Sequence, residues 1–360
     1  MSECSYSLNK KGDETMYDTI VIGAGQAGLA IGYYLQKENQ RFLLLEKGQE
    51  VGQSWKERYD SLVLFTPRMY NSLPGLPFDG NEHEFPTRDE VVQYLKTYAD
   101  TFHLPIQFNE DVQRVMKMGD VFRIQTNQQE YMAKNVVVAT GPFQTPYIPS
   151  FSKKIGTEIH QLHSSQYKHP SQLKKGNVLV VGGGNSGAQI AVELSKDRET
   201  YLAVSAPLRY FPLSLYRKSI FWWFDKAGIL KASRDSILGR LIRKKGDPIF
   251  GFELKQAVSE KKVIIKTRVM GAEDHQITFE DHTSLTVQTI IWATGFKSSF
   301  PWLHIEGILD ANGQVLHQRG VTSVKGFYFI GLPWQHRRGS ALLQGVGYDA
   351  AHLIKEIKNT

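Results

Sequence analysis

The chain has 360 residues, enough for two or three domains with cores of their own, and its 41% hydrophobic and 22% charged residues are those of a globular protein, not a disordered or fibrous one. A net charge of +7 suits an enzyme that handles anionic nucleotides and does not require nucleic acid as a partner. Cys4 is the single cysteine, which excludes an intrachain disulfide framework and a Cys-x-x-Cys dithiol relay and favours the reducing cytoplasm.

Residues 1–16 are polar, lack the apolar core of a signal peptide and read as a flexible tail, with Met16 a candidate start. No apolar run approaches the length of a membrane span, so integral membrane association is not expected. Tyr17 to Glu46 reads as strand, glycine turn, helix and strand. The turn Gly23-Ala24-Gly25-Gln26-Ala27-Gly28 directly follows the apolar run Thr19 to Ile22. From Gln53 to Pro86 aromatic, proline and glycine residues show no period and predict loops. Thr87 to Phe102 opens on a Thr-x-Asp-Glu cap and carries Val91, Val92, Leu95 and Tyr98 at helical spacing. Short strands are expected over 112–115, 121–126 and 130–133, and a buried strand over Val136 to Val138 leads into Ala139-Thr140-Gly141. Three prolines between Pro142 and Pro149 mark a domain crossing.

A second strand, Val178 to Val181, leads into Gly182-Gly183-Gly184-Asn185-Ser186-Gly187. An aromatic insertion over 210–251 reads as helices. Within it, Lys231 to Lys245 is a basic amphipathic stretch, expected to be a solvated helix face and not a membrane contact. Strands are expected over 263–266, 276–279 and 284–287. Ile290 to Gly295 then echoes Val137 to Gly141, Phe327 to Gly331 is a further buried strand, and Gly345 to Ile357 a closing helix. The reading is an α/β fold of two Rossmann-like dinucleotide-binding domains. The first comprises 17–149 and 290–360, and the second, 150–289, is inserted into it.

The residue types in the two turns have physical reasons. The first glycine permits the tight turn, the second lets backbone approach a pyrophosphate, and the third lets helix pack on strand. Helix amides and dipole then face the phosphates. Glu46 and Ser205 each lie 23 residues after the first glycine of their loop. The carboxylate of Glu46 accepts from a ribose diol, which suits FAD. Ser205 carries no charge and Arg209 follows it, which suits the 2′-phosphate of NADPH, with Arg217 and Lys218 as alternatives. This assigns Gly23, Gly25, Gln26, Ala27, Gly28 and Glu46 to FAD, and Gly182, Gly184, Asn185, Ser186, Gly187, Ser205 and Arg209 to NADPH. His160, His163 and His169 match no standard metal spacing, so no metal is expected.

Further motifs bring in a family. Gly52-Gln53-Ser54-Trp55, Tyr59 to Leu62, Phe65-Thr66-Pro67, Phe85 to Asp89, the two Ala-Thr-Gly sites at 139–141 and 293–295, and Gly331-Leu332-Pro333-Trp334 resemble the class B flavin-dependent monooxygenases, most closely the small bacterial CzcO-like group. Plant indole-pyruvate monooxygenases are similar as well. The resemblance implies the architecture of pyridine nucleotide-disulphide oxidoreductases. It adds Lys47, Gln53, Ser54, Trp55, Thr140, Gly141, Gly331 and Gln344 to the FAD site and Thr294 and Gly295 to the NADPH site. It places Thr66, Trp55 and Arg58 close to the flavin, with no obligatory acid or base side chain. The implied reaction is hydride transfer from NADPH, formation of a C4a-hydroperoxyflavin with O2, and oxygenation of a small nitrogen or sulfur nucleophile.

Two departures stand out. The superfamily fingerprint F-x-G-x-x-x-H ends as expected in His163 and Tyr167, but Thr157 and Ile159 replace its Phe and Gly. Pro67 stands where animal-type members place an Asn beside the flavin. These departures keep open an NADPH-dependent flavoprotein reductase or oxidase, and the CzcO-like resemblance keeps open a redox sensor linked to cation transport. The stripe Phe221 to Phe224 reads as core or homodimer contact ahead of a roof over a substrate channel.

Overall fold

In a computed structural model, residues 16–359 are described; Cys4 and the tail up to residue 15 lie outside them. Met16 already belongs to the first strand, β1 (Met16–Ile22). Its run Thr19 to Ile22 is buried on both faces, as a central parallel strand requires. After the first glycine turn come α1 (Gln26–Lys37), β2 (Phe42–Leu45), the single turn α2 (Gln53–Lys56), α3 (Arg88–Thr101) and the edge strand β3 (Ile106–Gln107). The α3 cap forms as its sequence implies: the Glu90 amide donates to the Thr87 hydroxyl at 3.3 Å, and the Glu90 carboxylate accepts from the Thr87 amide at 2.8 Å.

A meander follows: β4 (Val112–Met118), β5 (Val121–Thr126) and β6 (Glu130–Val138). The two strands expected over 130–138 are one. Asn135 does not break it, because its side-chain amide donates to the Asp18 carbonyl at 3.0 Å. The first half of β6 pairs antiparallel with β5, and the second half pairs parallel with Phe327–Phe329.

The chain then crosses through β7 (Thr145–Pro146) into β8 (His160–His163), β9 (Val178–Val181), α4 (Asn185–Leu194) and β10 (Thr200–Ala203). The insertion at 210–251 is mixed, not purely helical. It contains β11 (Tyr210–Phe211), a hairpin of β12 (Ser214–Leu215) and β13 (Lys218–Ser219), α5 (Ile220–Lys226), α6 (Ile237–Lys245) and β14 (Ile249–Phe250). Next come α7 (Glu253–Ser259), β15 (Val263–Lys266), β16 (Val269–Glu273), β17 (Gln276–Phe279), β18 (Ser284–Leu285), β19 (Thr289–Trp292) and the return strand β20 (Phe296–Lys297). Val263–Lys266 is a parallel edge strand beside β10, not part of the second meander. That meander starts at β16, which Gly271 and a bulge at its pairing hide from any alternation pattern.

The second sheet is wholly parallel in the order β15-β10-β9-β19-β8. The domain boundary at 289/290 therefore moves. β19 sits between β9 and β8, and the crossing lies beyond Trp292, where β20 pairs antiparallel with β7.

The chain finishes in β21 (Leu303–His304) on β4, β22 (Phe327–Phe329) on β6, and α8 (Leu343–Lys358), which buries Val346, Ala350 and Leu353 in one core with α1. Among the described residues no helix is long and apolar enough to cross a membrane.

Candidate functional site

The two glycine turns are built alike. At Gly23 and Gly182 φ is +103° and +123°, and an added Cβ would stand 2.8 Å and 2.3 Å from the carbonyls of Ala139 and Ala293. At Gly28 and Gly187 a Cβ would lie 1.9 Å and 2.0 Å from the carbonyls of Gly23 and Gly182, so helix and turn touch without a side chain between them. The middle glycines, Gly25 and Gly184, meet nothing within 4 Å. Each is the N-cap of its helix and no side chain caps it, so free helix amides face an open cradle.

Around the first cradle, Glu46 closes the turn: its carboxylate accepts from the Ala24 and Gly48 amides, both at 2.8 Å. The Gln26 side chain accepts from Trp55 Nε1 at 3.1 Å and donates to the Ala341 carbonyl at 3.3 Å. It thereby ties the turn to α2 and to the C-terminal segment. A Cβ on Gly331 would stand 2.9 Å from Ala27, so this segment also lies against the start of α1. Gln344 Nε2 is buried and has no hydrogen-bond partner, a donor that awaits an acceptor. Two residues assigned to FAD are engaged with protein partners, and a third faces solvent. Lys47 pairs with Asp111 at 3.0 Å, Gln53 braces Gln49 and Glu57, and Ser54 is exposed.

At the second cradle the Asn185 side chain is already engaged, donating to the Pro248 carbonyl at 3.1 Å and accepting from the Phe250 amide at 3.0 Å. Its role is to fasten the insertion to the turn, which leaves the backbone amides and exposed Ser186 for a ligand. Arg209 does not stand free as a phosphate clamp. Its guanidinium donates to the carbonyls of Lys245 and Gly246, capping α6. Ser205 is exposed just past β10, and the pairing of β10 with β15 sets Lys266 opposite Ala203. The Lys266 ammonium itself lies over the Phe279 ring, 5.4 Å from its centre.

Between the cradles run the two crossings. Gln144 donates to the Thr140 hydroxyl at 3.0 Å and the Gly141 carbonyl at 2.9 Å, and accepts from the Ser299 amide at 2.9 Å. Thr294 donates to the Tyr147 carbonyl, and the Tyr147 amide to Gly295 at 2.9 Å. The Arg58 guanidinium lies over the rings of Phe143 and Phe296, one from each crossing, at 4.5 Å and 5.1 Å. His163 abuts Phe296 at 4.8 Å between ring centres. Its Nδ1 accepts from the Ser165 amide at 3.2 Å, so Nε2 carries the proton and donates to the Gly295 carbonyl at 2.9 Å. Burial holds its pKa below the ordinary histidine value.

The loop meant for the flavin face is tied by its own hydrogen bonds. Thr66 is buried and donates to Asn71 Oδ1 at 2.7 Å, while Asn71 Nδ2 returns bonds to the carbonyls of Thr66 and Pro67. Phe65 stacks on Phe250 at 4.7 Å and on Phe221 at 5.9 Å. Phe221 is thus core, while Trp223 of the same stripe is exposed. Tyr59, its pKa pushed up to about 12 by burial, donates to Gln189 of α4 at 2.9 Å. Gln189 in turn donates to the Val63 carbonyl at 3.1 Å. Tyr167, fully buried, donates to Glu193 at 2.7 Å and acts in packing beneath the second sheet. An open cavity of about 320 Å³ lies between Leu64, Phe65 and Phe85 on one side and Asn185, Leu213 and Phe250 on the other. Gln144, Asn71 and Gln189 carry no motif; only their placement shows what they do.

Residues 20–206 match the pyridine nucleotide-disulphide oxidoreductase family, and the chain belongs to it. Within that class it is 60% identical, over 95% of this chain and 99% of the other, to an uncharacterized oxidoreductase, CzcO, of Bacillus velezensis. A probable indole-3-pyruvate monooxygenase of Arabidopsis thaliana is 30% identical over 95% of this chain and 90% of its own. The solved flavin-containing monooxygenase of Stenotrophomonas maltophilia is 26% identical with a TM-score of 0.80, covering 96% of this chain and 98% of that one. The chain is therefore an oxidoreductase of the flavin monooxygenase superfamily. Its first cradle, with Glu46 and the unpaired Gln344 amide, fits FAD, and its second, open at Gly184 and uncharged at Ser205, fits NADPH.

Proposed function

We propose that this protein is a cytoplasmic, FAD-dependent monooxygenase that oxidises NADPH and oxygenates a small nucleophilic nitrogen or sulfur compound. The observation that carries this reading is the pair of matching open cradles at Gly25 and Gly184, joined by one braced double crossing. The chemistry supplied by bound FAD is hydride acceptance from NADPH and activation of O2. For a sulfide the balance is sulfide, O2, NADPH and a proton to sulfoxide, water and NADP+.

The chain's own residues bind, orient and exclude water. The α1 and α4 amides hold the two pyrophosphates. Glu46 accepts from the FAD ribose, and Gln344 Nε2 donates to the flavin. The Trp55–Gln26–Ala341 links fix the first turn against α2 and the C-terminal segment. The Phe65, Phe221 and Phe250 cluster keeps water from the face that Thr66 presents, and Arg58, held between Phe143 and Phe296, sets the spacing of the two domains.

The test is peroxide yield per NADPH consumed, measured across a panel of amines and sulfides. Oxygenation predicts that a good substrate raises NADPH consumption while peroxide falls well below one per NADPH. The Thr66–Asn71 bond, which leaves no free polar group where animal-type members place one, favours a second reading: a reductase or oxidase. In that case peroxide stays stoichiometric in air with every substrate, and quinone or protein acceptors speed turnover without oxygen.

A further inference from the structure

Helix α6 is turned the wrong way round for a protein surface. Its buried residue is Gly239, where a Cβ would stand 1.9 Å from the Ser233 carbonyl. Its apolar residues face out: Ile237 is 73%, Leu238 40% and Leu241 54% exposed. At 3.6 residues per turn these three share a sector of about 100°. Arg240 and Lys244, one turn apart, flank that sector, and the helix contains no acidic residue.

The orientation is held at both ends. Ser236 caps the start, accepting from the Gly239 amide at 3.0 Å, and Arg209 caps the end at the Lys245 and Gly246 carbonyls. Arg338 of the first domain pairs with Asp247 just beyond at 2.8 Å. The stripe is therefore presented by a fixed helix and is not the product of fraying. The rest of the insertion repeats the pattern, exposing Leu215, Tyr216 and Trp223. Between residues 210 and 251 stand nine Lys or Arg and three Asp, a net +6 in a chain whose total is +7.

We propose that the insertion docks on an anionic lipid surface, with Ile237, Leu238 and Leu241 entering the acyl boundary and the basic residues meeting the headgroups. An amphipathic helix with a basic flank binds such a surface through both terms together. A second copy of the chain on this face would set +6 against +6. A nucleic acid would satisfy the charge and leave the isoleucine and leucines in water.

The experiment is sedimentation of the full, FAD-loaded chain with vesicles of phosphatidylglycerol and phosphatidylcholine, and with phosphatidylcholine alone. The expected result is binding to the anionic vesicles that falls sharply on pure phosphatidylcholine and in high salt. Each basic residue at such a surface is worth about a fivefold change in partition. Arg240→Glu with Lys244→Glu therefore weakens binding by about 25-fold or more, and Ile237→Asp with Leu241→Asp abolishes it. Flavin content and NADPH oxidation, measured in free solution, stay at parent level in both variants and show that they fold. Parent protein that stays in the supernatant, or variants that pellet like the parent, overturn the proposal. So does a parent dimer in light scattering that Ile237→Asp with Leu241→Asp turns into a monomer, which assigns the stripe to a second copy.

Discussion

Gly25 and Gly28 lie one helical turn apart, yet replacing each by alanine has a different consequence. A Cβ at Gly25 meets nothing within 4 Å, and φ −74° with ψ −173° is backbone that alanine adopts freely. Loss of glycine at an N-cap costs about 1 kcal/mol or less, so the Gly25→Ala apoprotein should unfold within a few degrees of the parent. The added methyl occupies the cradle itself. Displacing a phosphate from one or two charge-assisted amide bonds removes about 1.5–3 kcal/mol each, which is about 10-fold to more than 1,000-fold in FAD affinity. At Gly28 the methyl would sit 1.9 Å from the Gly23 carbonyl, so the turn and α1 must separate. Overpacking of this kind costs about 1–3 kcal/mol or more in the folded chain before any cofactor binds. The assay is flavin per protein after gel filtration, beside thermal unfolding of the apoproteins. Full flavin occupancy in Gly25→Ala, or an apo Gly25→Ala that unfolds like Gly28→Ala, refutes the placement of the pyrophosphate.

The same logic at the second loop predicts that Gly184→Ala keeps its flavin and raises the KM for NADPH by tenfold or more, read from steady-state kinetics. Because Arg209 caps α6, Arg209→Ala should change KM for NADPH and NADH by the same factor; a loss confined to NADPH restores the clamp. Trp55→Phe removes the bond to Gln26 and should cost about 0.5–1.5 kcal/mol of flavin binding, a two- to tenfold rise in Kd by titration. Burial lowers the His163 pKa in the folded protein below the ordinary histidine value of about 6.5, so the unfolded chain takes up more protons as pH drops. Stability is then highest above pH 6.5 and declines as pH falls from there toward the folded value, and His163→Asn should flatten that part of a Tm-against-pH curve. An unchanged slope would remove His163 from the account.

Where short-range chemistry decides the outcome, the sequence was a good guide. Both glycine turns, the Thr87 capping box and the closing helix form where residue types alone place them; the Gly23–Gly28 and Thr87–Glu90 contacts are local in the chain. Glu46 is found for the same reason: it follows β2 directly and β2 lies beside the turn. What escaped reading depends on partners far away in the chain. β6 runs through Asn135 because Asp18, 117 residues earlier, takes its amide. β19 belongs to the second sheet because β8 and β9 flank it, although the run Ile290 to Gly295 looks like the end of the first domain's central strand. Arg209 was assigned by its distance from Ser205, whereas a helix end 36 residues on claims it. The basic stretch was recognised as amphipathic, but only packing could show that its apolar side faces out.

The two sheets are closed in opposite temporal order. In the second, the fifth position beside the central pair is taken by β8, which precedes the glycine turn; in the first it is taken by β22, and α1 is covered by α8, both made last. As the chain leaves the ribosome, the inner unit from β8 to β19 has every strand it needs while the outer unit still exposes one side of β6 and the apolar face of α1. Maturation therefore ends with the outer unit, and the final thirty or so residues, which carry Gly331 and Gln344, complete its core. A nonsense mutation or proteolytic cut near the C-terminus should leave a folded inner unit attached to a colourless, aggregation-prone outer one.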